Sequence, residues 1–157
     1  MCGDGVPRNR PLRLMTPTVK RKETAVAQQI LFIALAGAAG TLARWGLSAA
    51  VYRLAGGAFP FGTLAVNVLG SFLFGIIWVL GEQRGILSPG VRLVILVGFM
   101  GAFTTFSTFA FETDALLRTG RYWTAAVSVL LQNGAGVAAV VLGLAAGRAG
   151  FCPVVPQ

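Results

Sequence analysis

The 157-residue sequence contains no histidine, and its two cysteines, Cys2 and Cys152, stand near opposite ends of the chain. Histidine-based acid–base catalysis, a Cys/His zinc site and a disulfide framework therefore lack their raw material. Charge is almost as scarce, at 11% of residues against about 25% in an ordinary soluble domain. It is also missing in blocks: residues 24–43, 54–81, 93–111 and 122–147 carry no formal charge. Each block is about as long as the roughly 20 residues that a spanning helix needs. With 55% of residues hydrophobic, this pattern predicts an all-α membrane protein of four transmembrane helices, lodged multi-pass in a bacterial-type cell membrane. Almost nothing is left over for a soluble domain, and no enzymatic activity is expected.

The net charge of +8 resembles a nucleic-acid footprint until its positions are read. Arg8, Arg10, Arg13, Lys20, Arg21 and Lys22 supply six of the thirteen positive charges before the first apolar run. That is a basic flank of the cytoplasmic type, so no nucleic-acid partner is expected. Prolines at 7, 11 and 17, and the lack of hydrophobic periodicity, predict a disordered basic tail over 1–25. A four-helix transmembrane domain over 26–148 and a short C-terminal tail over 149–157 follow. The run from 26 to 52 is long enough to span and has no convincing cleavage site, so it reads as a retained helix. Pro60 opens the second helix and Ser88-Pro89 the third, positions where a missing N–H costs little. Within the third helix, Gly98, Gly101 and Thr104-Thr105 predict an interruption in mid-membrane, where freed carbonyls need a cation, a water or another chain.

Polar side chains recur at helical spacing inside these apolar runs. Gly37, Gly40 and Arg44 share one face of the first helix, and small residues there favour protein rather than lipid as the neighbour. Thr63, Asn67 and Ser71 form a stripe on the second helix; Thr124, Ser128 and Gln132 form one on the fourth. Beyond the interruption, Thr105, Thr108 and Glu112 run beside Phe106 and Phe109. Unpaired polar groups in hydrocarbon cost several kcal/mol each by typical transfer values, so such stripes turn inward and suggest an anion or proton path. An aromatic ring has a negative face and a positive edge, and ring edges can meet an anion where no lysine is at hand. Each element also has a plain structural reading: a kink repaired by Thr back-bonding, lipid-facing Phe, a snorkelling Arg44, an interfacial Glu112 and an interhelical hydrogen bond at Asn67.

Three ordered motifs carry a further resemblance. They are Gly37-Ala38-Ala39-Gly40-Thr41-Leu42-Ala43-Arg44-Trp45, then Pro60-Phe61-Gly62-Thr63-Leu64-Ala65-Val66-Asn67, and Gly98-Phe99-Met100-Gly101-Ala102-Phe103 running into Thr104-Thr105-Phe106-Ser107-Thr108-Phe109. Over about 28–147 the chain resembles the CrcB/Fluc family of fluoride channels. The resemblance implies an antiparallel, dual-topology dimer with two fluoride pathways and one structural Na⁺ that is not transported. It implies that the backbone carbonyls of Gly101 and Thr104 hold that Na⁺, and that Phe106 and Phe109 form an aromatic box facing fluoride. Asn67 would belong to the polar track, Arg44 to the vestibule and Glu112 to an acidic position near the pathway, with Thr105, Ser107 and Thr108 as motif hydroxyls. Ser128 and Gln132 are candidates on geometry alone. Ala102 stands where a second glycine is common, so a left-handed backbone there would be strained.

The function so implied is a passive, fluoride-selective channel that exports cytoplasmic fluoride and so relieves its toxicity. A small multidrug-type transporter is the alternative, but it would need a membrane-embedded carboxylate early in the chain, and the first two runs have none. A non-conducting membrane scaffold would leave the interrupted helix unexplained. Near-membrane arginines and lysines fall six to three in favour of inward chain ends. A homodimer of opposed copies, or pairing with an oppositely oriented paralogous chain, both remain compatible with so weak a bias.

Overall fold

The structure, a computed structural model, describes residues 16–150, with side chains described from residue 23 onward. Five helices follow one another: α1 (Thr16–Ala55), α2 (Phe61–Gln83), α3 (89–103), α4 (Phe106–Arg118) and α5 (Tyr122–Ala149). No strand occurs among the described residues. Four stretches are long and apolar enough to cross a membrane: Glu23–Ala55, Phe61–Gln83, Pro89–Arg118 and Tyr122–Ala149.

The first helix starts at Thr16, ten residues before its expected start, with Pro17 in its first turn, where a missing N–H breaks no helical bond. Residues 16–25 of the expected disordered tail are therefore helical, whereas 1–15 and 151–157 lie outside the described residues. Ser88 caps α3, its hydroxyl accepting from the Val91 N–H, with Pro89 at the first helical position. The links after α2 and α4 turn at Gly85 and Gly120, with φ of 62° and 74°, a region that a Cβ disfavours. Among the described residues no other residue type has positive φ. Ala102 in particular lies within a right-handed helical turn, so the strain considered for that position does not arise.

Backbones approach closely along two seams. Between α2 and α5, a Cβ at Gly143 would lie 2.0 Å from the Phe72 carbonyl oxygen, and one at Gly75 would lie 2.6 Å from that of Val140. Between α1 and α3, a Cβ at Gly40 would fall 2.3 Å from the Phe99 carbonyl oxygen. Gly37 meets the Gly98 carbonyl at 3.7 Å by the same construction, and Arg44 on that face is half-buried. Lipid tails are as apolar as leucine, so close van der Waals packing rather than hydrophobicity must bring these helices together. Gly143→Ala should thus lower stability by about 1–3 kcal/mol despite alanine's better helix propensity. Gly134→Ala, where a Cβ meets nothing within 4 Å, should be neutral. Thermal melts of the detergent-purified protein compare the two.

The outer surface is apolar, and Leu42, Trp45, Phe106 and Trp123 are each more than two-thirds exposed. Polar ties gather at the helix ends. At one end Arg92 pairs with Glu82 and lies 5.9 Å from the Trp78 ring centroid. There Arg148 donates to Gln83 Oε1 at 3.2 Å, and its carbonyl accepts from the Arg84 guanidinium. At the other end the Arg121 guanidinium donates to the Ala58 carbonyl.

Candidate functional site

The backbone between α3 and α4 leaves the helix at two residues. Thr104 (φ −80°, ψ 158°) and Thr105 (φ −150°, ψ 117°) are extended, and helix resumes at Phe106. The Thr105 hydroxyl caps α4, accepting from the Thr108 N–H at 3.2 Å and donating to the Thr108 hydroxyl at 2.9 Å; the Ser107 hydroxyl lies 3.4 Å away. The three motif hydroxyls thus form one capping cluster, the usual answer to the orphan N–H groups of a helix start. Just before the gap α3 is π-helical over Val94–Met100, and the Gly101 N–H reaches back five residues to the Leu96 carbonyl.

A single side chain on α2 spans the gap. The Oδ1 of Asn67 accepts from the Thr105 N–H at 2.8 Å, and its Nδ2 donates to the Thr105 carbonyl at 2.9 Å. The same Nδ2 donates to Gln132 Oε1 on α5 at 3.0 Å. An amide nitrogen has two hydrogens, so both of Asn67's are engaged. Gln132 is 8% exposed, and its Nε2 has no partner among the described residues. The buried donor left over in this layer therefore belongs to Gln132, held in place through its oxygen.

Two cavities flank the layer. The first, about 370 Å³, is lined by Asn67, Gln132, Thr104, Thr105, Phe106 and Phe109 among others. The Phe106 and Phe109 rings meet edge to face there, at 67° and 5.5 Å between centroids. Phe109 is 8% exposed and Phe106 75%, so one ring belongs to the interior and the other to an outer face. The second cavity, about 560 Å³, lies under the α1–α2 link and includes Thr63, Thr108, Glu112 and Arg121 in its walls. The Thr63 hydroxyl donates to Glu112 Oε1 at 2.9 Å, while Oε2 is buried without a partner among the described residues. Thr63 and Glu112 stand about one turn from Asn67 and Phe109 on the same two helices. Arg44 and Ser107 line neither cavity. Ser128 is 1% exposed, and its hydroxyl has no partner among the described residues.

Among the described residues no three His, Cys, Asp or Glu side chains cluster as metal ligands, so a resident cation would depend on carbonyls. The break supplies them. In an unbroken helix the Thr105 N–H would close onto the Gly101 carbonyl and the Thr108 N–H onto that of Thr104. Here Asn67 and the Thr105 hydroxyl accept those two donors instead. Neutral oxygens at the negative end of a helix suit a hard monovalent cation. Gly101 is exposed in the single chain, which leaves room for donors from elsewhere.

Residues 31–144 match the family model described as CrcB-like protein, camphor resistance. The chain belongs to the CrcB family. Its CrcB relatives include the fluoride-specific ion channel FluC of Nitrosococcus oceani, 52% identical over 116 residues that cover 74% of this chain and 93% of the relative. The FluC of Solidesulfovibrio magneticus is 53% identical over 121 residues, covering 77% and 97%. That of Nitratidesulfovibrio vulgaris is 50% identical over 121 residues, covering 77% and 98%. These CrcB proteins bear the name of ion channels, not of enzymes. With four helices fit to span a bilayer, this CrcB chain is a multi-pass membrane protein.

Proposed function

We propose that the protein is a fluoride-selective channel of the cell membrane that lets cytoplasmic fluoride leave passively, working as an antiparallel dimer around a structural Na⁺. The observation that carries the reading is the first cavity. It brings an edge-to-face phenylalanine pair, a buried unpartnered amide donor at Gln132 and a helix start at Phe106 to one place. A small, strongly hydrated anion gives up water only to closely spaced donors. Ring edges, the Gln132 Nε2 and the positive end of α4 are such donors. The adjoining second cavity, with Thr63, Thr108 and Glu112, continues the route toward the α1–α2 link. A CrcB family match and three relatives named as fluoride channels support fluoride as the ion.

The mid-membrane break of the third span has a role in this reading. It turns the carbonyls of Gly101 and Thr104 toward a Na⁺, and Na⁺ offsets the negative end of α3, which would otherwise repel an anion in the adjoining cavity. A second copy, of this chain or of an oppositely oriented paralogue, covers the exposed faces of Phe106 and Gly101 and completes the cation's shell. The test is efflux from liposomes: purified protein should release trapped fluoride and retain chloride. Equal release of both ions, or of neither, would sink the reading.

A further inference from the structure

The amide of Asn67 touches the backbone of one residue at both of its polar groups. It accepts from the Thr105 N–H at 2.8 Å and donates to the Thr105 carbonyl at 2.9 Å. These two bonds fix the orientation of the amide, since its nitrogen cannot accept and its oxygen cannot donate. Its remaining hydrogen goes to Gln132 Oε1, so neither hydrogen is offered to the cavity. What Asn67 does hold is a conformation. Without it, the nearest backbone acceptor for the Thr105 N–H is the one that helical closure supplies, the carbonyl of Gly101. Closure would carry α3 through Thr104, turn that carbonyl along the helix axis, and re-aim the start of α4 with its phenylalanines.

We propose that Asn67 is a positioning residue: its side chain holds the α3–α4 break open and thereby keeps the Gly101 carbonyl available to a cation, instead of itself binding the conducted anion. The same clamp, through Gln132 Oε1, fixes the amide of Gln132, which lines the cavity that Phe106 and Phe109 also line. One side chain thus couples the geometry of a cation site to that of an anion path. This inference rests on the reading that a Na⁺ sits at the Gly101 and Thr104 carbonyls.

The readout is the Na⁺ concentration at which the melting temperature of the purified protein reaches half of its full rise, with N-methyl-D-glucamine as the replacing cation. Asn67→Leu and the smaller Asn67→Ala should raise that midpoint about tenfold or more, because each removes the acceptor that keeps the Thr105 N–H from the Gly101 carbonyl. Gln132→Leu breaks only the third contact; its midpoint should stay within about twofold of wild type while fluoride efflux falls. Recovery of the Asn67 variants as dimers only in high Na⁺ would equally support the proposal. An unchanged Na⁺ midpoint in Asn67 variants whose efflux is lost would overturn it in favour of direct anion binding. So would variants equally destabilised, or equally unrecoverable, at every Na⁺ concentration, which is the mark of an ordinary structural hydrogen bond. A wild-type protein indifferent to Na⁺ would remove the cation reading itself, and this inference with it.

Discussion

Phe109→Ile is expected to cut fluoride efflux by about 100-fold per folded dimer, and Phe106→Ile by a similar factor. An ion that has shed part of its water needs partners throughout its passage. Losing one in a low-dielectric site costs about 3 kcal/mol, within the range for unpartnered polar groups, and each 1.36 kcal/mol is about tenfold in rate. Isoleucine keeps the apolar bulk and removes the ring edge. If Phe109 were only a packed core residue, as its 8% exposure alone would allow, the same swap would cost about 1 kcal/mol of stability and leave conduction intact. Efflux normalised to the dimer recovered by gel filtration separates the outcomes. Near-normal normalised efflux in both variants would eliminate the ring-edge mechanism.

Gly101→Leu should abolish the dimer and take efflux to background. Within a single copy the substitution is benign. A Cβ at 101 meets nothing nearer than the Leu96 carbonyl oxygen at 3.9 Å, the residue is exposed and right-handed helical, and leucine is the better helix former by about 1 kcal/mol. Nothing in one chain therefore predicts harm. On the proposed reading, the harm comes from a second copy laid over this face and from a cation that a leucine side chain would displace. The check is gel filtration or single-molecule photobleaching in detergent beside wild type. A dimer of normal stability that still conducts would show that position 101 faces lipid.

The four apolar spans were legible because their causes are local. Charge-free runs mark the spans, Ser88-Pro89 marks a helix start, and two threonines followed by Phe106 make a cap and a new helix. The start of α1 was not legible, since the prolines of 1–17 suggested disorder while Pro17 sits where a helix tolerates proline. Asn67 was recognisable as a polar residue that needs a partner, but its partner is a peptide 38 residues away, and a helical stripe cannot specify which tertiary group meets it. Gln132 shows the same limit in reverse: spacing placed it beside Ser128 on one face, yet only the bond to Asn67 decides which end of its amide stays free. Phe106 and Phe109 form one motif in the sequence, and the helical rotation between them puts one ring inside and the other on the outer surface. Arg44 shares a face with Gly37 and Gly40 but is not among the residues that line either cavity.

The ties between α5 and the rest of the bundle also bear on how the chain is made. Helix α2 presents Gly75 to a surface completed by Gly143, and the polar groups of Gln83 and Arg84 meet Arg148. All of those partners lie on α5, which leaves the ribosome after α2. At roughly 5–20 residues per second, α2 waits about 3–13 s after its own synthesis before its main neighbour is complete. During that time its small-residue groove faces lipid or a foreign helix. The order of synthesis therefore makes α5 the keystone of insertion, and a chain stopped short of it would leave a vacant groove for quality-control proteases to find.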